Sequence, residues 1–244
     1  MDSGYYAAFS GLLARTEMLD SAASNLSNAN TNGFRAEREY FRSAIAGPDA
    51  LNSQLNRTVN AFGVLGGNRL DLGQGALVPT GNPLDVAIQG EGFFAIQARQ
   101  GIRYTRNGQF QRTSNGTLVT TQNEPVLNVQ GKSVQIPAGN IMIGSDGVIS
   151  VDGAAASKIG TFVFDSADSI KAEGANRYVP VNGAVAKPVD ASLHEGTLES
   201  SNQDVIQGTL QLVLVQRQAE MMQKALAIFH SEFDKTASEE LPKV

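Results

Sequence analysis

Matching heptad stripes occupy the two ends of the chain, and the residues between them follow a different period. Near the start, Tyr5, Phe9, Leu12, Thr16, Leu19, Ala23 and Leu26 recur at spacings that alternate four and three. Near the end, Leu212, Val215, Ala219, Met222, Leu226, Phe229 and Phe233 do the same. That alternation is the seam of a coiled coil, so both ends are expected to be helices that meet helical partners. The last helix carries a second apolar stripe of Ile206, Leu210, Leu214, Met221, Ala225 and Ile228, leaving only a narrow polar face of Gln216, Glu220, Gln223, Lys224 and Asp234. One partner helix cannot cover both stripes. Burying a large apolar side chain is worth about 1.5–3 kcal/mol, so an exposed stripe forgoes well over that sum and calls for other subunits.

Between the ends, short β-type runs alternate with glycine turns. Strands are expected at Leu84 to Gln89, Phe93 to Gln97, Gln109 to Arg112, Thr117 to Thr120, Ile141 to Ile143, Val148 to Val151 and Gly160 to Phe164. Gly90-Glu91-Gly92 reads as a hairpin joining the first two. Asn107-Gly108, Asn115-Gly116, Asp146-Gly147, Asp152-Gly153 and Asn182-Gly183 are pairs that suit tight reversals. Pro137, Pro180 and Pro188 favour edges and loops.

These patterns predict an α+β chain, with paired N- and C-terminal coiled-coil helices around a central irregular antiparallel β domain. The expected division is 1–34 for the first helix, 35–75 for an extended connector, 76–199 for the β domain and 200–244 for the last helix. The first helix should run from Ser3 to about Ser27, with Ser3 as its cap and an Ala-rich face of Ala7, Ala14 and Ala22 opposite the seam. Arg35 to Ser43 reads as a short helical or extended segment, and Gly47 to Gly75 as polar connector. The last helix should begin near Asn202 or Asp204, capped by Ser201 or Asn202, and run to about Phe233.

Composition narrows the partners. The formal net charge is −5 and no basic patch is visible, which argues against nucleic acid. Met1-Asp2-Ser3 opens acidic and the first basic residue is Arg15, so no signal peptide is expected. No run is long enough to insert in a membrane. Cysteine is absent, which suits a protein working where a stray thiol would oxidise.

Several motifs resemble one family in order along nearly the whole chain. The run Ala23 to Phe34 contains Asn25, Leu26 and Asn28, then Thr31, Gly33 and Phe34, and resembles the N-terminal signature of bacterial flagellar rod and hook proteins. Pro83 to Phe94 resembles the family's central motif, with Tyr104 to Phe110 and Asn115 to Val119 after it. Gly196-Thr197-Leu198-Glu199-Ser200-Ser201-Asn202 resembles the family's Gly-x-Leu-Glu-x-Ser-Asn, followed by Gln216 to Met221.

The resemblance implies an axial structural subunit of the basal-body rod in the periplasm. Such a subunit packs its terminal helices into a tube and is exported without a cleaved signal through the flagellar type III apparatus. Its partners would be copies of itself and other rod and hook-type proteins. The assembly interface would use Tyr5, Phe9, Leu12, Leu19, Leu26, Leu212, Val215, Met222, Leu226 and Phe229. The opening Met1 to Tyr6 and Gln218 to Lys224 resemble the proximal rod type, whereas Gly90 to Phe94 and Val215 to Arg217 resemble the distal type. In the family the Asn25, Leu26, Asn28 motif closes the first helix and turns the chain toward the β domain.

The residues themselves leave a second class open, a secreted β-domain binding protein or hydrolase dimerised by its end helices. Chemistry for an enzyme is thin. His194 and His230 lie in no metal spacing, no Gly-x-Ser-x-Gly elbow is present, and the two Asp-Gly pairs lack the carboxylates of a calcium loop. Neither catalysis nor a cofactor is expected.

Overall fold

The computed structural model describes residues 2–42, 64–174, 176–181 and 183–240. These form two helices and many antiparallel strands, an α+β chain. They fall into two compact units. A helical unit takes 1–26, 37–68 and 205–244, and a β unit takes 27–36 and 69–204. Among the described residues no helix is long and apolar enough to cross a membrane.

In the helical unit, α1 spans Asp2–Ser27 and α2 spans Val205–Glu240. Strands β1 (Glu37–Arg42) and β2 (Val64–Leu70) pair as a ribbon, within the stretch that reads as connector from composition alone. Two glycines interrupt the period of β2, and at Gly66 a Cβ would collide with the Tyr40 ring. The rest of the expected connector, 47–63, lies outside the described residues.

Burial on α2 follows the heptad seam. Val215 and Ala219 are buried and Leu212, Met222 and Leu226 half-buried, with Gly208 continuing the stripe one step earlier. On α1 the inner face is rotated from the expected seam. Ala14, Ser21, Ala22 and Asn25 are buried and Leu12, Leu19 and Leu26 half-buried, whereas Phe9, Thr16 and Ala23 are exposed. Small residues permit the closer approach: a Cβ at Gly11 would lie 3.2 Å from Met222 Cε. Tyr5 and Phe229 carry no described side-chain environment.

The β unit is organised by one six-stranded sheet of order β13-β14-β6-β5-β12-β15, flanked by smaller sheets. Its strands are β5 (Phe93–Ala98), β6 (Gly101–Thr105), β12 (Thr161–Val163), β13 (Ile170–Gly174), β14 (Arg177–Pro180) and β15 (Lys187–Pro188). Around it lie β3 (Leu77–Pro79), β4 (Val86–Gln89), β7 (Phe110–Arg112), β8 (Leu118–Thr120), β9 (Ile141–Ile143), β10 (Val148–Val151), β11 (Ala154–Lys158), β16 (Ser192–Glu195) and β17 (Thr197–Glu199).

β5 is buried on both faces. Phe94 and Ile96 enter a core with Val86, Ile88, Phe110, Leu118 and Val134. Phe93 and Ala95 enter a second core with Tyr104, Leu127, Phe164 and Tyr178. Alternate side chains of a strand point to opposite faces, so the part of β5 between the two cores, Phe93 to Ile96, is apolar throughout. Aromatic pairs meet edge-on, Phe94 on Phe110 at 5.1 Å and Phe93 on Tyr178 at 5.4 Å between ring centres. Under the first core, Leu118, Val126 and Val134 close a ring of backbone hydrogen bonds, each N–H donating to the next segment's carbonyl at 2.8–3.0 Å.

Three expectations are corrected. Gly90-Glu91-Gly92 is not a hairpin: β4 pairs with β16 and β5 with β6, so the chain changes sheets there. Asn107-Gly108 is not a tight reversal either. A Cβ at Gly108 would run into the Val86 carbonyl, and the Val86 N–H donates to the Gly108 carbonyl at 3.0 Å, so glycine serves close approach. By contrast Asp152 and Gly153 both have positive φ, 51° and 83°, and close the β10–β11 reversal as expected. Finally, Asn202 does not cap the last helix. Its side chain is taken by Ala36, Asp71 and Gly73, and α2 starts after Asp204 and continues past Phe233 to Glu240.

Candidate functional site

Segments far apart in sequence converge on one buried carboxylate in the β unit. Glu199 on β17 is fully buried between two buried arginines. Arg35 Nη2 lies 2.7 Å from Oε1, which also accepts the Gly75 N–H at 2.9 Å. Arg106 Nε donates to Oε2 at 2.8 Å. The rest of the Arg106 guanidinium is caged by carbonyls, those of Gly92 at 2.7 Å, Gly90 at 2.9 Å and Ile88 at 3.3 Å. The loop read as a hairpin is therefore a carbonyl cradle for a cation. Burial pushes the Arg106 guanidinium below its usual value, and the Glu199 carboxylate opposes this.

Arg35 is held less completely. Its Nε and Nη1 have no hydrogen-bond partner among the described residues. Its backbone N–H donates to the Tyr178 hydroxyl at 2.9 Å, and that hydroxyl lies 3.2 Å from Asn176 Oδ1. Burial drives the Tyr178 hydroxyl well above the ordinary tyrosine range. Removing the carboxylate from such a buried cluster leaves uncompensated charge and costs about 3–5 kcal/mol.

The expected N-terminal motif residues occupy the turn out of α1. Asn25 Nδ2 donates to the Glu37 carbonyl at 2.7 Å, and its Oδ1 accepts the Glu37 N–H at 2.9 Å, one side chain completing a strand-like pair. Asn28 accepts from the Thr31 N–H and hydroxyl at 3.0 and 3.2 Å. Gly33 donates its N–H to the Glu199 carbonyl at 2.7 Å, and the Phe34 carbonyl accepts the Asn202 N–H at 3.3 Å. Leu26 and Phe34 are half-buried.

In the sequence Arg106 and Glu199 stand inside motif strings with no role of their own, Asn202 reads as a helix cap, and Arg35 and Tyr178 are not marked as partners. The available signal was a charged residue set among glycines and apolar residues in each of three motifs, since a charge in such a place needs a partner.

The second notable surface is on α2. Ile206 is 73% exposed, Ile228 63%, Met221 62%, Leu210 61% and Leu214 59%. These are the second stripe read from the sequence, with only Ala225 of that stripe half-buried. On α1, Phe9 and Leu13 are also exposed. Of the two histidines, His194 is exposed on β16 with Nε2 2.7 Å from Gln89 Oε1, and the His230 side chain lies outside the described residues.

Residues 87–151, from β4 through β10, match the family model described as flagellar hook protein FlgE/F/G D1 domain. A flagellar basal-body rod protein FlgF of Caulobacter vibrioides is 33% identical over 100% of both chains. A FlgF of Mesorhizobium japonicum is 32% identical over 89% of each, and a flagellar basal-body rod protein FlgG of Bacillus subtilis is 32% identical over 87% of this chain and 89% of its own. With four of its motif segments drawn together around Glu199 and a rod protein matched along its entire length, the chain belongs to the flagellar basal-body rod protein family.

Proposed function

We propose that this chain is a structural subunit of the flagellar rod, built by its terminal helices into the axial shaft that carries torque across the periplasm. The observation that carries this reading is the exposed apolar stripe of α2 from Ile206 to Ile228. At about 1.5–3 kcal/mol per large apolar side chain, covering it in an assembly supplies a strong driving force. The seam of Leu212, Val215, Met222 and Leu226 faces inward, so each subunit holds its helical unit together with one side of α2 and offers the other to neighbours.

The functional division remains 1–34 and 200–244 as axial helices that pair in the tube, 35–75 as connector and 76–199 as outer β domain. Tyr5, Phe9, Leu12, Leu19, Leu26 and Phe229 join the seam residues of α2 as interface in this reading. Export proceeds through the flagellar type III apparatus without a cleaved signal. The neighbours are copies of this chain and other rod and hook-type subunits. The proximal rod is the favoured position, supported by the full-length similarity to a FlgF.

The test is a high-resolution reconstruction of basal bodies from cells carrying this protein, beside basal bodies from cells lacking it. Density for the chain in the proximal rod is the expected result. Density in a ring or at the filament tip would refute the placement.

A further inference from the structure

We propose that Asn202 is a positioning residue that clamps together the points where the chain leaves the β unit. The chain passes between its two units after residues 26, 36, 68 and 204. Asn202 sits beside the last of these and reaches two others. Its Oδ1 accepts the Ala36 N–H at 2.8 Å, and its Nδ2 donates to the carbonyls of Asp71 at 2.8 Å and Gly73 at 3.0 Å. Its own N–H donates to the Phe34 carbonyl at 3.3 Å. The Asp71 N–H donates to the Ala36 carbonyl at 2.8 Å, tying the two gripped segments to each other.

A carboxamide is the chemistry this needs. It offers two N–H donors on one nitrogen and an acceptor oxygen, and all three functions are used. An aspartate of the same shape would turn an oxygen toward two carbonyls, and alanine would satisfy none of the three backbone groups that the side chain bonds. None of the partners lies in either apolar core, so the contacts add little to the sheets' burial. What they add is fixed geometry: three of the four exits become one root, where each alone would swing about its own backbone dihedrals. This goes beyond the rod reading, because it concerns the isolated chain and holds whatever assembly the chain enters.

The experiment uses the full chain. Amide hydrogen exchange is followed in dilute monomer with and without Asn202→Asp, and with Asn202→Ala. Both variants should speed exchange at Ala36 and at Asp71, whose N–H is held by the Ala36 carbonyl, about tenfold, while Val86, Phe94 and Leu118 stay protected. Unchanged exchange at Asp71 in either variant overturns the clamp. So does loss of protection throughout the β unit, which would make Asn202 an ordinary stability element. Failure of the rod placement would leave these outcomes untouched.

Discussion

Gly33 lies flush against the backbone of Arg106. Its φ is +69°, and a Cβ there would collide with the Arg106–Asn107 peptide while its N–H holds the Glu199 carbonyl at 2.7 Å. The N-terminal motif and the Tyr104 to Phe110 motif thus meet at a point with no room for a side chain.

Gly33→Ala should accordingly lower the stability of the β unit by about 3 kcal/mol or more, combining left-handed strain with overpacking. Gly174→Ala is the control. Gly174 also has positive φ, 96°, but nothing lies within 4 Å of its would-be Cβ, so only the backbone cost of about 1 kcal/mol applies. Denaturant midpoints of the two variants measure the difference. Equal losses would mean that the approach to Arg106 is unimportant.

Glu199→Gln should cost about 3–5 kcal/mol, since two buried guanidinium groups then share no counter-charge. The arginines are not equivalent. Removing Arg35 leaves a neutral Arg106–Glu199 pair whose donors and acceptors remain met, and removes two unmet donors. Removing Arg106 empties the carbonyl cradle of Ile88, Gly90 and Gly92. Arg35→Met should therefore be milder than Arg106→Met by about 1 kcal/mol or more in urea unfolding, on the scale of a charged hydrogen bond. The reverse order would contradict the assignment of Arg106 as the central cation.

Tyr178 predicts an alkaline limit. Burial raises its hydroxyl in the folded state, so above about pH 10 the unfolded chain loses this proton while the folded chain keeps it. The unfolded state then binds fewer protons, and stability falls as pH rises. The contribution is fully present below pH 10. Tyr178→Phe should flatten the slope of stability between pH 10 and 12 and cost about 1–3 kcal/mol at neutral pH, through the unmet Arg35 N–H. Some slope remains from Tyr104, whose hydroxyl burial also raises. An identical alkaline slope in the variant would show that Tyr178 titrates normally.

Substitutions on the two sides of α2 should separate assembly from folding. Leu214→Glu, on the exposed stripe, should leave monomer stability within about 0.5 kcal/mol while abolishing motility and rod growth. Leu226→Asp, on the inner stripe, should lower helix content in the monomer as well as block assembly, because it places a charge on the packed side. Circular dichroism of purified monomer and swimming assays distinguish the two. Normal swimming with Leu214→Glu would rule out the exposed stripe as the contact surface.

What could be read along the chain was local. The heptad at 212 to 226 marks the packed side of α2 because helix periodicity needs only neighbours a turn apart, and the second stripe is exposed as its separation around the helix requires. The Asp152-Gly153 reversal is legible for the same reason, since its φ values depend on the two residues themselves. On α1 the pattern holds in part: Leu12, Leu19 and Leu26 are half-buried, but Phe9 is exposed while Ala14 and Ala22 are buried, because the small residues are what allow the chain to come close.

Tertiary structure alone decided pairing. Val86–Gln89 and Phe93–Ala98 are neighbours in sequence with a glycine-rich link, yet they enter different sheets because Arg106 draws the link's carbonyls around its guanidinium. Glu199 meets Arg106 across 93 residues. Sequence by itself determined the two helices and the strands β4, β5, β7 to β10 and β12, because those preferences are set by side-chain period and backbone sterics, but short or glycine-interrupted strands such as β2, β6 and β15 carry too little period to be read. It did not determine which segments meet, because buried charges choose partners by three-dimensional fit, and the cost of leaving one unpaired is felt only once water is excluded.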